Sequence, residues 1–453
     1  MTKKLIFFLI FIVIIGSGCQ TLPNVYKKIA DVPFSDQPPE IIYGNQKLSA
    51  DQSRSVIDKL QQQTGRSEIL NRNLKVMEAL SRESFTFGNE VSLLVDAEAA
   101  YAAIFEAVKK AKETINIETF ILRDDIFGSQ LAELLIKKHA EGVHVNIIYD
   151  KIGSIEAPDS FFNRLQNNGI NVVSFGPFRK QLFKLGIDHR KILVVDGNVA
   201  ITGGTNISGG YSQKAADRNF SKKVLPWRDT NIQIEGPAVT QIQKIFFDNW
   251  EKLSCPALTD ADYFPVINKK GESLVQIITS SPHDSKAMTF IMYVSAITFA
   301  ARSIHITAGY FVPDDQLLKA LTNAAKRGVD VKIIVSSYTD VPAVLKAGHY
   351  DYSKLLKAGV KIYERDGVVL HAKTAIIDGV WSTVGTSNLD YWTYLNNDEL
   401  NAVILDTQFA REMEKIFEED IGNSKQIILN EWEKRPFSQK LGEFTPHLFK
   451  YWL

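Results

Sequence analysis

Two cysteines, Cys19 and Cys255, are too few for a disulfide framework in a chain of 453 residues. No Cys-x-x-Cys pair and no His-Glu-x-x-His run occurs, which excludes the zinc sites that those spacings build. A surplus of charge is missing too, since 52 Lys and Arg balance 52 Asp and Glu. A dedicated nucleic-acid binder carries a basic excess, so nucleic acid is not an expected partner. The longest apolar run, Leu5–Ile15, has 11 residues and is too short to cross a bilayer. What remains is a globular composition, 45% apolar and 23% charged, on a chain long enough for two to three domains.

The N-terminus reads as an export signal over residues 1–19. Lys3 and Lys4 precede the apolar run, and Gly16-Ser17-Gly18 leads into Cys19. This resembles a bacterial lipobox, although Gly16 stands where leucine is usual. The resemblance implies a lipid on Cys19 and, with Gln20 rather than Asp next, a place in the cell envelope at the outer membrane, facing the periplasm. An ordinary export signal or an uncleaved anchor is the alternative. Residues 20–85 carry Pro23, Pro33, Pro38 and Pro39 before a helical stretch near Asp51–Gln63. They are expected to form a polar tether and an N-terminal helix.

Beyond residue 85 the chain repeats itself. Ile115-Asn-Ile-Glu-Thr119 and Ile304-His-Ile-Thr307 are β-branched strand patterns, each leading to paired acids, Asp124-Asp125 and Asp314-Asp315. Helical patterns follow at Leu131–His139 and Leu317–Lys326, closed by Gly142 and Gly328. Next come the strands Val143–Tyr149 and Val329–Val335, then a further helix and strand in each half. Strands alternating with helices predict an α/β fold of two duplicated domains with mostly parallel mixed sheets, packed about a pseudo-two-fold. The expected boundaries are 86–260 and 261–428, with a tail at 429–453 that mixes aromatics with lysines. Such a tail suits either a lipid interface or packing against the second domain.

Each half closes on the same run. The first reads His189, Lys191, Asp196-Gly197, Gly203, Gly204 and Asn206; the second reads His371, Lys373, Asp378-Gly379, Gly385, Thr386 and Asn388, at identical intervals. Histidine and lysine two apart on a strand project from one face. Asp-Gly between apolar runs is a hairpin turn, so Asp196 and Asp378 are expected to be structural and the return strand to bring each asparagine back beside His and Lys. Two halves facing each other present two imidazoles, two ammoniums and two carboxamides. That set suits phosphodiester exchange without a metal or other cofactor. One imidazole attacks phosphorus, the other protonates the leaving oxygen, and the cations hold the non-bridging oxygens. Asp229 and Glu399 occupy equivalent places after each motif and are expected to orient the histidines.

These paired runs resemble the HKD motifs of the phospholipase D superfamily. Gly88–Asp96, Asp150–Ser154, Trp227–Thr230 and Glu235–Ala238 are similar to bacterial cardiolipin synthases in particular. The resemblance implies phosphatidyl transfer between phospholipids such as phosphatidylglycerol at a membrane surface, with His189 as nucleophile and His371 as general acid. The chain departs from that family at Asp390-Tyr391-Trp392-Thr393, where Asp-x-Arg-Ser is usual. A hydrolytic phospholipase D shares every one of these residues and remains an alternative, ahead of a periplasmic phosphodiesterase or nuclease.

Overall fold

The repeat in the sequence is a repeat in space. The computed structural model describes residues 21–452 apart from 45, 66, 82, 177–185, 212–224, 259 and 283–285. The export signal, Cys19, Gln20 and His283 therefore lie outside the described residues.

The leading elements are α1 (Val25–Asp31), β1 (Ile41–Tyr43), β2 (Gln46–Lys47), α2 (Ala50–Thr64) and α3 (Leu74–Leu80). The first repeat runs β3 (Phe85–Val95), α4 (Asp96–Lys110), β4 (Thr114–Thr119), α5 (Ile126–Ala140), β5 (His144–Asp150), α6 (Asp159–Asn167) and β6 (Asn171–Phe175). It continues through β7 (Ile187–Asp188), β8 (Lys191–Val195), β9 (Val199–Gly203), β10 (Trp227–Arg228), β11 (Thr230–Glu235) and α7 (Ala238–Lys252). The second repeat follows the same order: β12 (Ser273–Ser280), α8 (Met288–Phe299), β13 (Ser303–Ala308), α9 (Asp315–Lys326), β14 (Asp330–Ser336), α10 (Pro342–Lys357) and β15 (Lys361–Arg365). Then come β16 (Val369–Leu370), β17 (Lys373–Ile377), β18 (Trp381–Gly385), α11 (Tyr391–Asn396), β19 (Asn397–Leu405) and α12 (Thr407–Gly422). The chain ends in β20 (Ser424–Gln426), α13 (Leu429–Glu433) and α14 (Phe437–Leu448).

The acids and glycines that frame the repeated helices act as caps. Asp125 accepts from the backbone N–H groups of Phe127 and Gly128, and Asp314 from that of Gln316, while Gly142 and Gly328 take positive φ at the far ends.

Among the described residues, parallel pairing is confined to β4–β5–β6 and β13–β14–β15, apart from three short contacts of β1 with β3, β7 with β19 and β10 with β16 and the isolated bridges Leu122–Ile207 and Phe311–Leu389. The remaining strands of each half, β8–β9–β11–β3 and β17–β18–β19–β12, run antiparallel. The expected mostly parallel order thus holds for three strands per half. The hairpins at Asp196-Gly197 and Asp378-Gly379 impose the opposite direction on the strands that follow. Strand β3 belongs to both halves: Glu90–Val95 pairs with β11 and its beginning pairs with its counterpart β12, so one sheet passes through the pseudo-two-fold.

Asp196 and Asp378 do structural work at the ends of β8 and β17 away from the histidines. Both hold left-handed φ, at 50° and 55°. The Asp196 carboxylate accepts from the backbone N–H groups of Lys112, Glu113 and Thr114, and that of Asp378 from Ala301, Arg302 and Ser303.

The proline-bearing stretch expected as a tether is packed instead. Val25, Ile29, Val32 and Ile41 are buried in one core with Phe290, Leu317 and Leu321 of the second repeat, and the Val25 N–H donates to Gln316 Oε1 at 2.8 Å. Val25, Ile29 and Val32 recur at helical spacing, which gives α1 one apolar face to bury.

Candidate active site

Two very short strands build the site. β7 runs parallel to the start of β19, pairing Ile187 and Asp188 with Asn397 and Asp398. β16 runs parallel to β10, pairing Val369 and Leu370 with Trp227 and Arg228. The next residue in each case is a histidine, and its backbone N–H donates across the seam: His189 to Asp398 O at 2.9 Å, His371 to Arg228 O at 2.8 Å. The residue that follows on the partner strand is the carboxylate. His189 Nδ1 lies 3.0 Å from Glu399 Oε1, and His371 Nδ1 lies 2.8 Å from Asp229 Oδ2. Both acids therefore reach a histidine, but crosswise, each serving the opposite repeat. With the carboxylate holding a proton on Nδ1, the imidazole lone pair stands on Nε2.

Lys191 and Lys373 lie on the same strand face as their histidines and fold back on them. Lys191 Nζ donates to His189 O at 2.6 Å, and Lys373 Nζ makes the same contact with His371 O. Asn206 donates from Nδ2 to the Tyr211 hydroxyl at 2.5 Å and accepts at Oδ1 from the Ile121 N–H at 3.1 Å. Asn388 Oδ1 is buried without a partner among the described residues, an acceptor whose burial costs energy until a donor arrives. Gly203, Gly204 and Gly385 are glycines by steric need. A Cβ on Gly204 would stand 2.1 Å from Asp229 Oδ1, and on Gly203 or Gly385 it would strike Asn231 or Asn401 at 2.5 and 2.4 Å. Thr386, the counterpart of Gly204, donates its hydroxyl to Glu399.

All of these side chains are nearly removed from solvent, with His189 and His371 at 6% and 5% exposure and Glu399 at 0%. Burial pushes His371 down to about 4, with Lys373 adding to the effect and Asp229 opposing it. Burial lowers His189 too, against the pull of Glu399. Burial brings Lys191 down to about 7, with Lys373 adding to the effect, and brings Lys373 down to about 8 against the pull of Asp229 and Glu399. Burial would raise Asp229 and Glu399, but the histidine and lysine beside each outweigh it and hold both below the usual carboxylate range. At neutral pH both imidazoles are thus neutral, the form in which nitrogen is nucleophilic. An entering phosphodiester anion favours return of a proton to one of them, since nearby negative charge raises a base.

The motif pattern did not reveal the rings around the histidines. Phe120 meets His189 edge-on at 5.1 Å, whereas Trp227, Tyr211 and Tyr310 surround His371 at 5.0, 5.8 and 6.4 Å. Trp227 was within reach of the sequence: two residues before Asp229, it projects from the same face. Arg190, between the motif His and Lys, turns away from the site into a buried cluster, with its guanidinium 3.2 Å from Glu118 and 3.1 Å from Asp398. The other described histidines stand apart as packing and surface groups. His305 and His349 pair with Glu414 and Glu364, and His139 contacts the Val143 carbonyl.

Two carboxylate-backed imidazoles, each with its lysine, at the seam of a duplicated α/β body define a phospholipase D-type enzyme. The family described as "Cardiolipin synthase, PLD-like domain" matches residues 104–247 and 293–421, one segment in each repeat, and the chain belongs to it. A cardiolipin synthase of Alkalihalophilus pseudofirmus is 34% identical over 396 residues, spanning 86% of this chain and 77% of that one. One from Listeria monocytogenes serotype 4b is 35% identical over 368 residues, 80% of this chain and 75% of that one. Among solved structures, a phosphatidylserine synthase of Haemophilus influenzae Rd KW20 shares the fold. Its TM-score is 0.60 at 15% identity, over 83% of this chain and 98% of that chain.

Proposed function

We propose that the chain transfers a phosphatidyl group between phospholipids, in the manner of a cardiolipin synthase, through a phosphohistidine. His189 Nε2 attacks phosphorus while His371 delivers a proton to the departing headgroup oxygen. His371 then takes a proton from the acceptor alcohol, whose oxygen displaces His189. Lys191, Lys373, Asn206 and Asn388 hold the non-bridging oxygens. The observation that carries this reading is the crossed pairing of His189 with Glu399 and His371 with Asp229, which puts both imidazoles in the working tautomer at one seam.

The test is purified protein in vesicles of phosphatidylglycerol and phosphatidylethanolamine, with products followed by mass spectrometry. Cardiolipin is the expected product. Phosphatidic acid in its place would make the chain a hydrolytic phospholipase D.

Activity is expected to fall on the alkaline side. Lysine stabilises phosphate oxygens only while protonated, and Lys191 and Lys373 lose their protons near pH 7 and 8. A plot of kcat/KM against pH should therefore decline through that window. A profile flat to pH 9 would remove the two lysines from the charge-holding role.

The same reading places the protein on a membrane, by a lipid on Cys19 and by the exposed apolar side chains Phe437, Leu441, Phe444 and Leu448 of α14. Fractionation of cells expressing Cys19→Ala checks the first of these. Release of the variant from the envelope membranes is expected, and retention equal to the unsubstituted protein would count against the lipid.

A further inference from the structure

The histidines open at one edge of each sheet, and at that edge both repeats carry apolar loops. Thr119 at the end of β4 pairs with Lys191, and Ala308 at the end of β13 pairs with Lys373. β5 and β14 run parallel to those strands, so the loops that follow them leave from the histidine edge. The two loops are tied down alike. Asp150, the last residue of β5, accepts at Oδ2 from the Asp188 N–H at 2.9 Å, one residue before His189. Ser336, the last residue of β14, accepts at Oγ from the Leu370 N–H at 3.2 Å, one residue before His371. Each loop also closes on an aromatic residue beside its histidine. A Cβ on Gly153 would stand 2.2 Å from Phe120 O, and Asp340 accepts from the Tyr310 hydroxyl.

Beyond these ties the loops turn apolar side chains to solvent, Ile152 and Ile155 in the first repeat, Tyr338 and Val341 in the second. Ile155 is 69% exposed and Tyr338 54%. Large apolar side chains grouped on one exposed edge mark a surface that is covered in use. The tail extends the group. Lys450 pairs with Asp315 at the N-terminus of α9 at 2.8 Å, and Tyr451 packs on Tyr391 of α11 with ring centres 4.7 Å apart. Because α9 begins beyond the end of β13 and α11 just after Asn388, the exposed Tyr451 and Trp452 stand on the histidine edge too.

Charge and access both point to lipid as the cover. Lys151 beside Ile152 and Lys346 one turn after Val341 are exposed. The two loop carboxylates are engaged, Glu156 by Arg123 at 3.0 Å and Asp340 by Tyr310. Apolar tips set among ammonium groups match acyl chains beneath anionic headgroups. His189 and His371 are almost wholly buried, so a lipid phosphate must rise out of its interface to reach them while its chains stay behind. A rim sunk in the interface shortens that path, whereas a second copy seated there would close the cleft.

We infer that the bilayer lies across the mouth of the cleft. Ile152 and Ile155 sink among its acyl chains on one side, Tyr338 and Val341 on the other, and Tyr451 and Trp452 sit at headgroup level. The pseudo-two-fold thus gives the molecule two equivalent feet. The inference takes from the phosphatidyl-transfer reading only that the cleft receives a phospholipid.

The experiment places the full chain on vesicles of phosphatidylglycerol and phosphatidylethanolamine whose acyl chains carry bromine, a quencher of tryptophan emission. Ile155→Trp and Tyr338→Trp are compared with Val266→Trp, which is exposed on the opposite edge. Its neighbour Pro265 lies against Gly197, in the turn at the end of β8 away from His189. After subtraction of the unsubstituted chain's emission, that added by Ile155→Trp and by Tyr338→Trp should be quenched and that added by Val266→Trp spared. Ile152→Ser combined with Ile155→Ser is expected to lower vesicle turnover about tenfold, the worth of burying one such side chain. Turnover of a monomeric short-chain phosphodiester should stay unchanged. Quenching of Val266→Trp alone, undiminished vesicle turnover in the serine variant, or an equal loss on the monomeric substrate overturns the docking. So does a doubled mass in the ultracentrifuge without quenching, which would seat a second copy on the loops. Quenching at both loops with no lipid product from any vesicle upholds the docking and overturns the transferase reading instead.

Discussion

Alanine at His189 or at His371 is expected to lower lipid turnover by roughly 10³-fold or more, because each removes a group that takes part in bond-making or proton transfer. The fold should survive both changes. In the His189 variant Glu399 keeps the Thr386 hydroxyl and the Asn397 amide as donors, and in the His371 variant Asp229 keeps the Thr230 N–H at 2.8 Å. A phosphodiester with a p-nitrophenyl leaving group separates the two roles, since that group departs without an acid. His371→Ala should then give a burst of about one p-nitrophenolate per enzyme and stall as the phosphatidyl-enzyme, while His189→Ala gives no burst. A burst from the His189 variant alone would exchange the assignments. Bursts from neither would remove the covalent intermediate.

The largest stability effect is expected away from the chemistry, at Arg190. Its guanidinium bridges Glu118 and Asp398 in the interior, and its backbone N–H donates to Asp188 Oδ1 at 3.3 Å. Asn249 supplies a further amide to Glu118 and Asp188. Burial and the Glu118 charge push the Asp188 carboxyl well above its ordinary range, so the cluster already holds fewer charges than acids. Removing this cation leaves buried carboxylates uncompensated, which costs about 3–5 kcal/mol. Whole domains are stable by only about 5–15 kcal/mol, so Arg190→Ala should lower the urea midpoint sharply and reduce soluble yield. An unshifted midpoint would mean that the acids are protonated together or reached by water. The second repeat has Ala372 at the equivalent position, and its buried Asp420 is paired instead by Arg228 of the first repeat, at 2.9 Å.

Local pattern carried much of this architecture. Apolar alternation, Asp-Gly turns and glycine caps act over a few residues, so β8, β17 and their hairpins were readable, as was the doubled spacing of His, Lys and Asn. Partnership between distant segments was not. Nothing within the Glu399 neighbourhood says that it will meet His189 rather than His371, because the choice is made by β7 lying along β19. The joint membership of β3 in both halves is equally long-range. The prolines at 23, 33, 38 and 39 advertised an extended tether, yet the spacing of Val25, Ile29 and Val32 between them won, since burying three apolar side chains outweighs the stiffness of the prolines around them. Arg190 was hidden for a different reason: a charged residue between two site residues looks catalytic until its rotamer is known.

The crossing of carboxylate and imidazole also bears on when the molecule becomes dangerous to its surroundings. An enzyme that acts on phospholipids is a hazard to membranes while it is being made. Neither half on its own contains a histidine with its proper acid, so a chain half emerged holds one mistuned imidazole, and a chain clipped in the middle or folded with its halves apart holds two and no facing pair. Chemical competence arrives only with the final docking of one half on the other, and the geometry itself serves as the release check on a completed copy.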